Sequence, residues 1–352
     1  MVSSSGRAWR SSALALVVLA LAAAGAWGAG AWRGDERPAL GAALDSVPAA
    51  TGAWSFTDWQ GVRAVVGRGA SPSDFVGAAS RRDLATRSVL ASSADEMQEL
   101  LGWSPRDLRW ESYGISDDGE VAVLRLGDDL SPDRVERGLR EADFTRDGNL
   151  WVAPGGASTT GGLPDLFGRL AVVPDRRVVV IGSDRRQVDR AVDVVRGRRD
   201  SLADVRPAAE VARQLVGSQT ALVQLGRTAC AATAVGPEDE AAARAAVDRA
   251  GALRPFRAAG RGLQDPGGAG FAQTARFAMV FGSDRAARDQ APVRERLSTG
   301  AYVGRTGRVE DSLRLTSVRT QGPALTLAFR HDPSAEALMV ASGPALFAAC
   351  RV

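Results

Sequence analysis

Between Arg10 and Arg33 the chain runs for 22 residues, Ser11 to Trp32, without a single charge. At about 1.5 Å of rise per residue, a helix of that length matches the hydrocarbon core of a bilayer. The segment therefore either crosses a membrane once or serves as a signal peptide, for which Ala22-Ala23-Ala24 and Ala29-Gly30-Ala31 offer small residues for cleavage. In both cases it contributes nothing to a soluble core, and the fold must be built from the residues beyond Arg33. Arg7 and Arg10 ahead of the run favour an N-terminus held inside the cell, and Trp27 and Trp32 sit where an outer aromatic belt belongs. The run carries no cysteine for a lipid anchor, and the two arginines are not adjacent, as a twin-arginine signal requires.

The chain thus divides into a short cytoplasmic segment (1–10), a transmembrane helix or signal peptide (11–32), a spacer rich in Gly, Ala and Pro (33–53) and two α+β ectodomain units (54–205 and 206–352). The expected location is the cell membrane, single-pass, with the C-terminal bulk outside the cytoplasm, or secretion if the leader is cut.

The formal charge of +3 is misleading, because Arg7 and Arg10 lie in the leader and leave 42 cations against 41 acids beyond it. A nucleic-acid partner needs a concentrated basic surface and is not expected. All of the cations are arginine; the chain contains no lysine. That excludes a P-loop phosphate lysine, a Schiff base and a Ser-Lys dyad. Arginine in place of lysine, with abundant Ala and Gly, fits a GC-rich bacterial genome. Cys230 and Cys350, the two cysteines, both fall in the exported part, where thiols oxidise, so a disulfide between them is expected.

Along the body, turn and cap residues punctuate apolar patterns. Ser93 to Glu96 reads as a capping box before Met97 and Leu101, with Gly102 as the stop. Ser131-Pro132 opens a helix whose Val135 and Leu139 share one face, after a strand ending at Gly127. Leu170–Val173 and Val178–Ile181 flank a turn as a hairpin, and Gly182-Ser183 caps a helix carrying Val188, Ala191, Val192 and Val195 on its inner side. Later come a helix over 238–249, a strand at 277–281, a hairpin from 313–318 and 325–329, and a helix over 334–342. Leu222 to Gly226 echoes Val123 to Gly127, and Phe281 to Arg285 echoes Ile181 to Arg185. The expected fold class is α+β, with antiparallel sheets, helices packed on one face and two tandem related units behind one N-terminal transmembrane helix.

No catalytic motif stands out. His331 is the lone histidine, which rules out a multi-His zinc site, and with Asp332 and Pro333 it reads as a surface or turn residue. Asp143, Thr145, Asp147 and Gly148 match half of a calcium loop, but Pro154 stands where the bidentate glutamate belongs, so they read as a turn. Neither a metal site nor a cofactor is expected. The distinctive residues are aromatic: Trp54, Trp59, Trp103 and Trp110, with Asp58, form the candidate binding cluster, because flat rings can stack on sugars or anchor an interface. The leading reading is a membrane-anchored, extracytoplasmic binding or scaffold module of the cell envelope, without catalysis, whose partner is an envelope protein or glycan. The alternatives are a carboxylate-dependent hydrolase of envelope glycans, which needs two acids with perturbed pKa values facing a cleft near these tryptophans, and a sensor ectodomain with a separate signalling partner.

Overall fold

The computed structural model describes residues 38–155, 163–233, 235–268, 272–303, 306–335, 337–339 and 345–351. The apolar run at 11–32 lies outside them, and no helix of the described residues is long and apolar enough to cross a membrane.

Among the described residues, one antiparallel sheet of twelve strands organises the body. In chain order the strands are β1 (Ala53–Thr57), β2 (Leu108–Ser116), β3 (Gly119–Leu126), β4 (Thr145–Asp147), β5 (Leu150–Val152), β6 (Arg169–Val173), β7 (Val178–Gly182), β8 (Thr220–Leu225), β9 (Ala258–Gln264), β10 (Gln273–Val280), β11 (Leu313–Gln321) and β12 (Ala324–His331). Their order across the sheet is β11-β12-β10-β9-β8-β1-β2-β3-β7-β6-β5-β4. The central pair, β1 with β8, sets Ser55 opposite Leu222. Outward from it the order runs β1-β2-β3-β7-β6 on one side, extended by β5 and β4, and β8-β9-β10-β12-β11 on the other. The echoes at 123–127 and 222–226 fall on β3 and β8, which hold different ranks in that sequence of strands.

Side chains alternate across a strand, so each strand feeds two cores. On β3, Ala122, Leu124 and Leu126 point to a first face while Val121 and Val123 point to a second. The first face is covered by α2 (Trp59–Val66), α3 (Pro72–Ser80), α4 (Ala94–Leu101), α5 (Pro132–Glu141), α8 (Gly226–Ala232), α9 (Glu240–Ala250), α10 (Asp284–Leu297) and α11 (Val309–Ser312). The second face carries α1 (Ala39–Leu44), α6 (Arg185–Val195) and α7 (Arg206–Gln214). Helices on one face only were expected, and both faces are covered. The reason lies in strands such as Val178–Ile181, which are apolar at every position and need cover on each side.

The fold also begins before Trp54. Within the stretch read as spacer, α1 buries Leu40, Ala43 and Leu44 against the second face. Elsewhere most local signals hold, although Ser93, at the N-cap of α4, makes no side-chain capping hydrogen bond and the expected capping box with Glu96 does not form. Ser131 accepts a hydrogen bond from the Arg134 amide and starts α5, whose Val135 and Leu139 are buried. Gly102 ends α4 at φ +73°, where a Cβ would be strained, and Gly148 turns β4 into β5 at φ +63°. α6 is capped by Asp184, one residue later than Ser183. Of the helix expected over 334–342, residues 334–335 and 338–339 form turns, and 336 and 340–342 lie outside the described residues.

Candidate functional site

The five residues of the expected aromatic cluster are not one surface. Trp54, Trp59, Trp103 and Trp110 are all buried, Trp54 and Trp110 in the second-face core and Trp59 and Trp103 in the first. Alternation along β1 sends Trp54 and Phe56 one way and Ser55 and Thr57 the other, and the bulge at Arg109 lets Leu108 and Glu111 share the first face. The Trp54 indole donates to Ser112 Oγ at 2.8 Å, and Ser112 Oγ donates to the Ala43 carbonyl at 2.8 Å, tying α1 to the sheet. Asp58 caps α2 by accepting from the Gly61 amide at 2.9 Å. Burial raises the Asp58 carboxyl pKa, against the pull of the Gly61 amide and of Arg63 and Arg109.

Beneath residues 81–90, a loop between α3 and α4, runs a buried polar seam that the sequence did not announce. Glu111, 1% exposed, accepts from Trp59 Nε1 at 3.1 Å, Ser88 Oγ at 2.6 Å and the Val89 amide at 2.8 Å. Burial pushes its pKa from 4.5 to about 7, because the three donors offset only part of the lost hydration. Asp83, also buried, accepts from Thr86 Oγ1 and from the Met339 amide, both at 2.6 Å, and burial raises its pKa as well. At the other end Arg82 grips Asp265 with two hydrogen bonds, Nε to Oδ2 at 2.6 Å and Nη2 to Oδ1 at 2.8 Å. Burial pushes the Asp265 carboxyl up, but Arg82, Gln273 and the Gly267 amide outweigh it and hold the pKa below 3.8. The loop is thereby fastened to β2 in the first half of the chain and to the end of β9 in the second.

His331, read as a surface residue, is fully buried at the end of β12, since strand parity sends it into the first-face core. Its Nδ1 donates to the Ser312 carbonyl at 3.2 Å and its Nε2 has no hydrogen-bond partner among the described residues. Burial lowers its pKa, so the ring is held neutral. Among the described residues no three His, Cys, Asp or Glu side chains converge as a metal site would require. Cys230 and Cys350 are bonded, with Cα atoms 4.9 Å apart and a sequence separation of 120.

Two concave sites stand out among the described residues. One, of about 430 Å³, lies at the end of α6 and is lined by Asp45, Asp200 and Asp204 together with Arg176, Arg198 and Arg199. Its groups are largely committed to one another and to nearby acids: Ser201 Oγ donates to Asp45 at 2.9 Å, the Ser201 amide to Asp204 at 2.8 Å, and Arg198 and Arg199 pair with Asp193. The other, of about 390 Å³, opens between α9, the end of α10 and residues 345–347. Ala246, Ala250, Leu297, Val309 and Phe347 line it, along with Arg249 and Arg296, and no acid does. Both fall within the roughly 300–1,000 Å³ usual for small-molecule sites. The three acids whose pKa is raised, Asp58, Asp83 and Glu111, line neither.

No protein-family model and no curated protein matches the chain. Among solved structures, the chain is similar to TP0453 in its crystal form III, at a TM-score of 0.44 and 10% identity, over 88% of this chain and 99% of that one. TP0453 in crystal form I is similar at a TM-score of 0.42 and 9% identity, over 88% of this chain and 98% of that one.

Proposed function

We propose that the chain is a membrane-anchored, extracytoplasmic binding or scaffold module of the cell envelope that performs no chemistry. Ser11–Trp32 holds it in the membrane with residues 1–10 inside, and its partner is an envelope protein or glycan. The observation that carries this reading is the separation of the acids of raised pKa from the two cavities. Asp58, Asp83 and Glu111, whose burial raises their pKa values, are each occupied by backbone or side-chain donors and line neither cavity. The first cavity sets Asp45, Asp200 and Asp204 beside its arginines, with Asp45 and Asp204 already accepting from Ser201, and the second is lined by small apolar residues and arginines. Neither site sets an acid of raised pKa against a ligand. The Cys230–Cys350 bond supports an oxidising compartment. The corresponding strand orders on either side of β1 and β8 support descent of the body from two related units, with β1, β2, β3, β7 and β6 answering to β8, β9, β10, β12 and β11.

The test is photo-cross-linking of the full-length chain in its native membrane, since no lysine is present for amine-directed reagents. Ile115 and Val216, apolar yet 44% and 41% exposed, are suitable places for a photoreactive side chain. A stoichiometric adduct with one envelope component supports the reading. Recovery of the chain alone, together with turnover of an envelope glycan by the purified protein, overturns it in favour of the hydrolase.

A further inference from the structure

We infer that the cavity between α9 and residues 345–347 is a binding site for a single-chain amphipathic anion, an acyl chain ending in a carboxylate or a phosphate. Its walls explain the chain. Ala246 and Ala250 stand one helical turn apart on α9, so their methyl groups face the same way and leave room that larger side chains would fill. Leu297, Val309 and Phe347 close the apolar surface opposite them. An alkyl chain is the occupant that removes the most apolar area of such a space from water.

The rim explains the anion. Arg296 donates through both Nε and Nη2 to the Ala250 carbonyl, at 3.0 and 2.6 Å, which fixes its guanidinium plane at the C-terminal end of α9 and leaves Nη1 without a partner among the described residues. Arg249, the preceding residue on that helix, is exposed and makes no ion pair with any described residue. With no Asp or Glu in the lining, the two arginines meet no carboxylate there beside the apolar floor, and the neighbouring Glu310 is engaged by the Gly300 amide at 3.0 Å and by Arg308. Guanidinium groups match carboxylate and phosphate oxygens with paired donors, so a terminal anion is the complementary group. The cleft near Asp45 differs on this point, because its own acids already stand among its arginines.

The far wall is built to stay in place. Arg294, fully buried on α10, donates Nη1 to the carbonyls of Phe347 at 2.7 Å and Ala349 at 2.9 Å, and Nη2 to that of Arg254 at 3.1 Å. The disulfide at Cys350 and a bond from the Cys350 amide to Thr233 Oγ1 at 3.2 Å pin the next residues. A wall held from three directions needs little ordering when a ligand enters, which favours binding.

The experiment uses the full-length chain in phosphatidylcholine nanodiscs and titrates it calorimetrically with octanoate, octyl phosphate and octanol, subtracting empty nanodiscs. Octanoate or octyl phosphate should saturate at one equivalent, and octanol should bind about tenfold or more weakly, the worth of a charge-assisted contact. The stronger of the two anions identifies whether the site takes a carboxylate or a phosphate. Arg249→Gln, at a side chain with no partner among the described residues, should weaken the anion about tenfold and leave octanol unchanged. Ala246→Trp should abolish binding of all three, and Ala242→Trp, at an exposed position of the same lining, serves if the first variant does not fold. Equal affinity for octanoate and octanol, or binding unaffected by filling the cavity, overturns the assignment. Neither result bears on the macromolecular partner sought by cross-linking, so the two proposals fail separately.

Discussion

Replacing Glu111 by Gln should change how stability depends on pH more than it changes stability itself. In the unfolded chain the carboxyl titrates near 4.5, whereas burial in the fold raises it to about 7. Between those values the folded state holds a proton that the unfolded state has released, so stability is greatest below pH 4.5 and falls as pH rises toward 7. At about 1.36 kcal/mol per pH unit the interval amounts to ~3 kcal/mol, and because Glu111 is 1% exposed little of it is screened by solvent. Gln cannot titrate, but it is not a perfect replacement. Trp59, Ser88 and Val89 all donate to the carboxylate, so one orientation of the amide or the other sets donor against donor, at a cost of about 1–3 kcal/mol. The informative quantity is therefore a double difference. Urea unfolding followed by tryptophan fluorescence at about pH 4.5 and pH 8 should show the parent losing ~3 kcal/mol relative to Glu111→Gln. Contributions from Asp58, Asp83 and His331 are common to both proteins and cancel. Parallel pH profiles for the two would refute the assignment of a buried, largely uncompensated carboxyl.

Three further outcomes can be checked independently. Reducing the Cys230–Cys350 bond should lower stability by roughly 4–5 kcal/mol, the chain-entropy value for a loop of this length, and an unchanged urea midpoint with thiols that alkylate only after reduction would contradict it. Arg294→Met should orphan the carbonyls of Phe347, Ala349 and Arg254; amide exchange at 347–350 should then quicken while β7 stays protected, and unaltered exchange there would show that the disulfide alone holds the segment. Gly138→Ala should destabilise by about 2 kcal/mol or more although alanine is the better helix former, because its Cβ would overlap the Leu101 carbonyl oxygen where α4 meets α5; a more stable variant by thermal melting would refute that contact.

Local chemistry was legible in the sequence because it is decided within a few residues. Ser131-Pro132 begins α5, Gly102 ends α4, and Pro174 to Arg177 joins β6 to β7, since caps, stops and tight turns depend on neighbours along the chain. The pairing of Cys230 with Cys350 was legible for another reason: two cysteines in a segment read as exported have one bond to make. What escaped was everything fixed by strand order and parity. Nothing within Trp54-Ser-Phe56-Thr-Asp58-Trp59 says that β1 lies at the middle of the sheet with helices above and below, which turns a plausible aromatic platform into two separate cores. Glu111 looks like any strand carboxylate until the bulge at Arg109 and the loop at 81–90 enclose it. His331 reads as a turn residue until β12 pairs with β10 and β11 over its full length. The cavity beside α9 joins residues from 242 to 347, and only the packing of α9, α10 and the C-terminal segment brings them together. Backbone preference acts over a few residues and can be read along the chain; burial and electrostatic environment arise from contacts between segments far apart in sequence, which the tertiary structure alone determines.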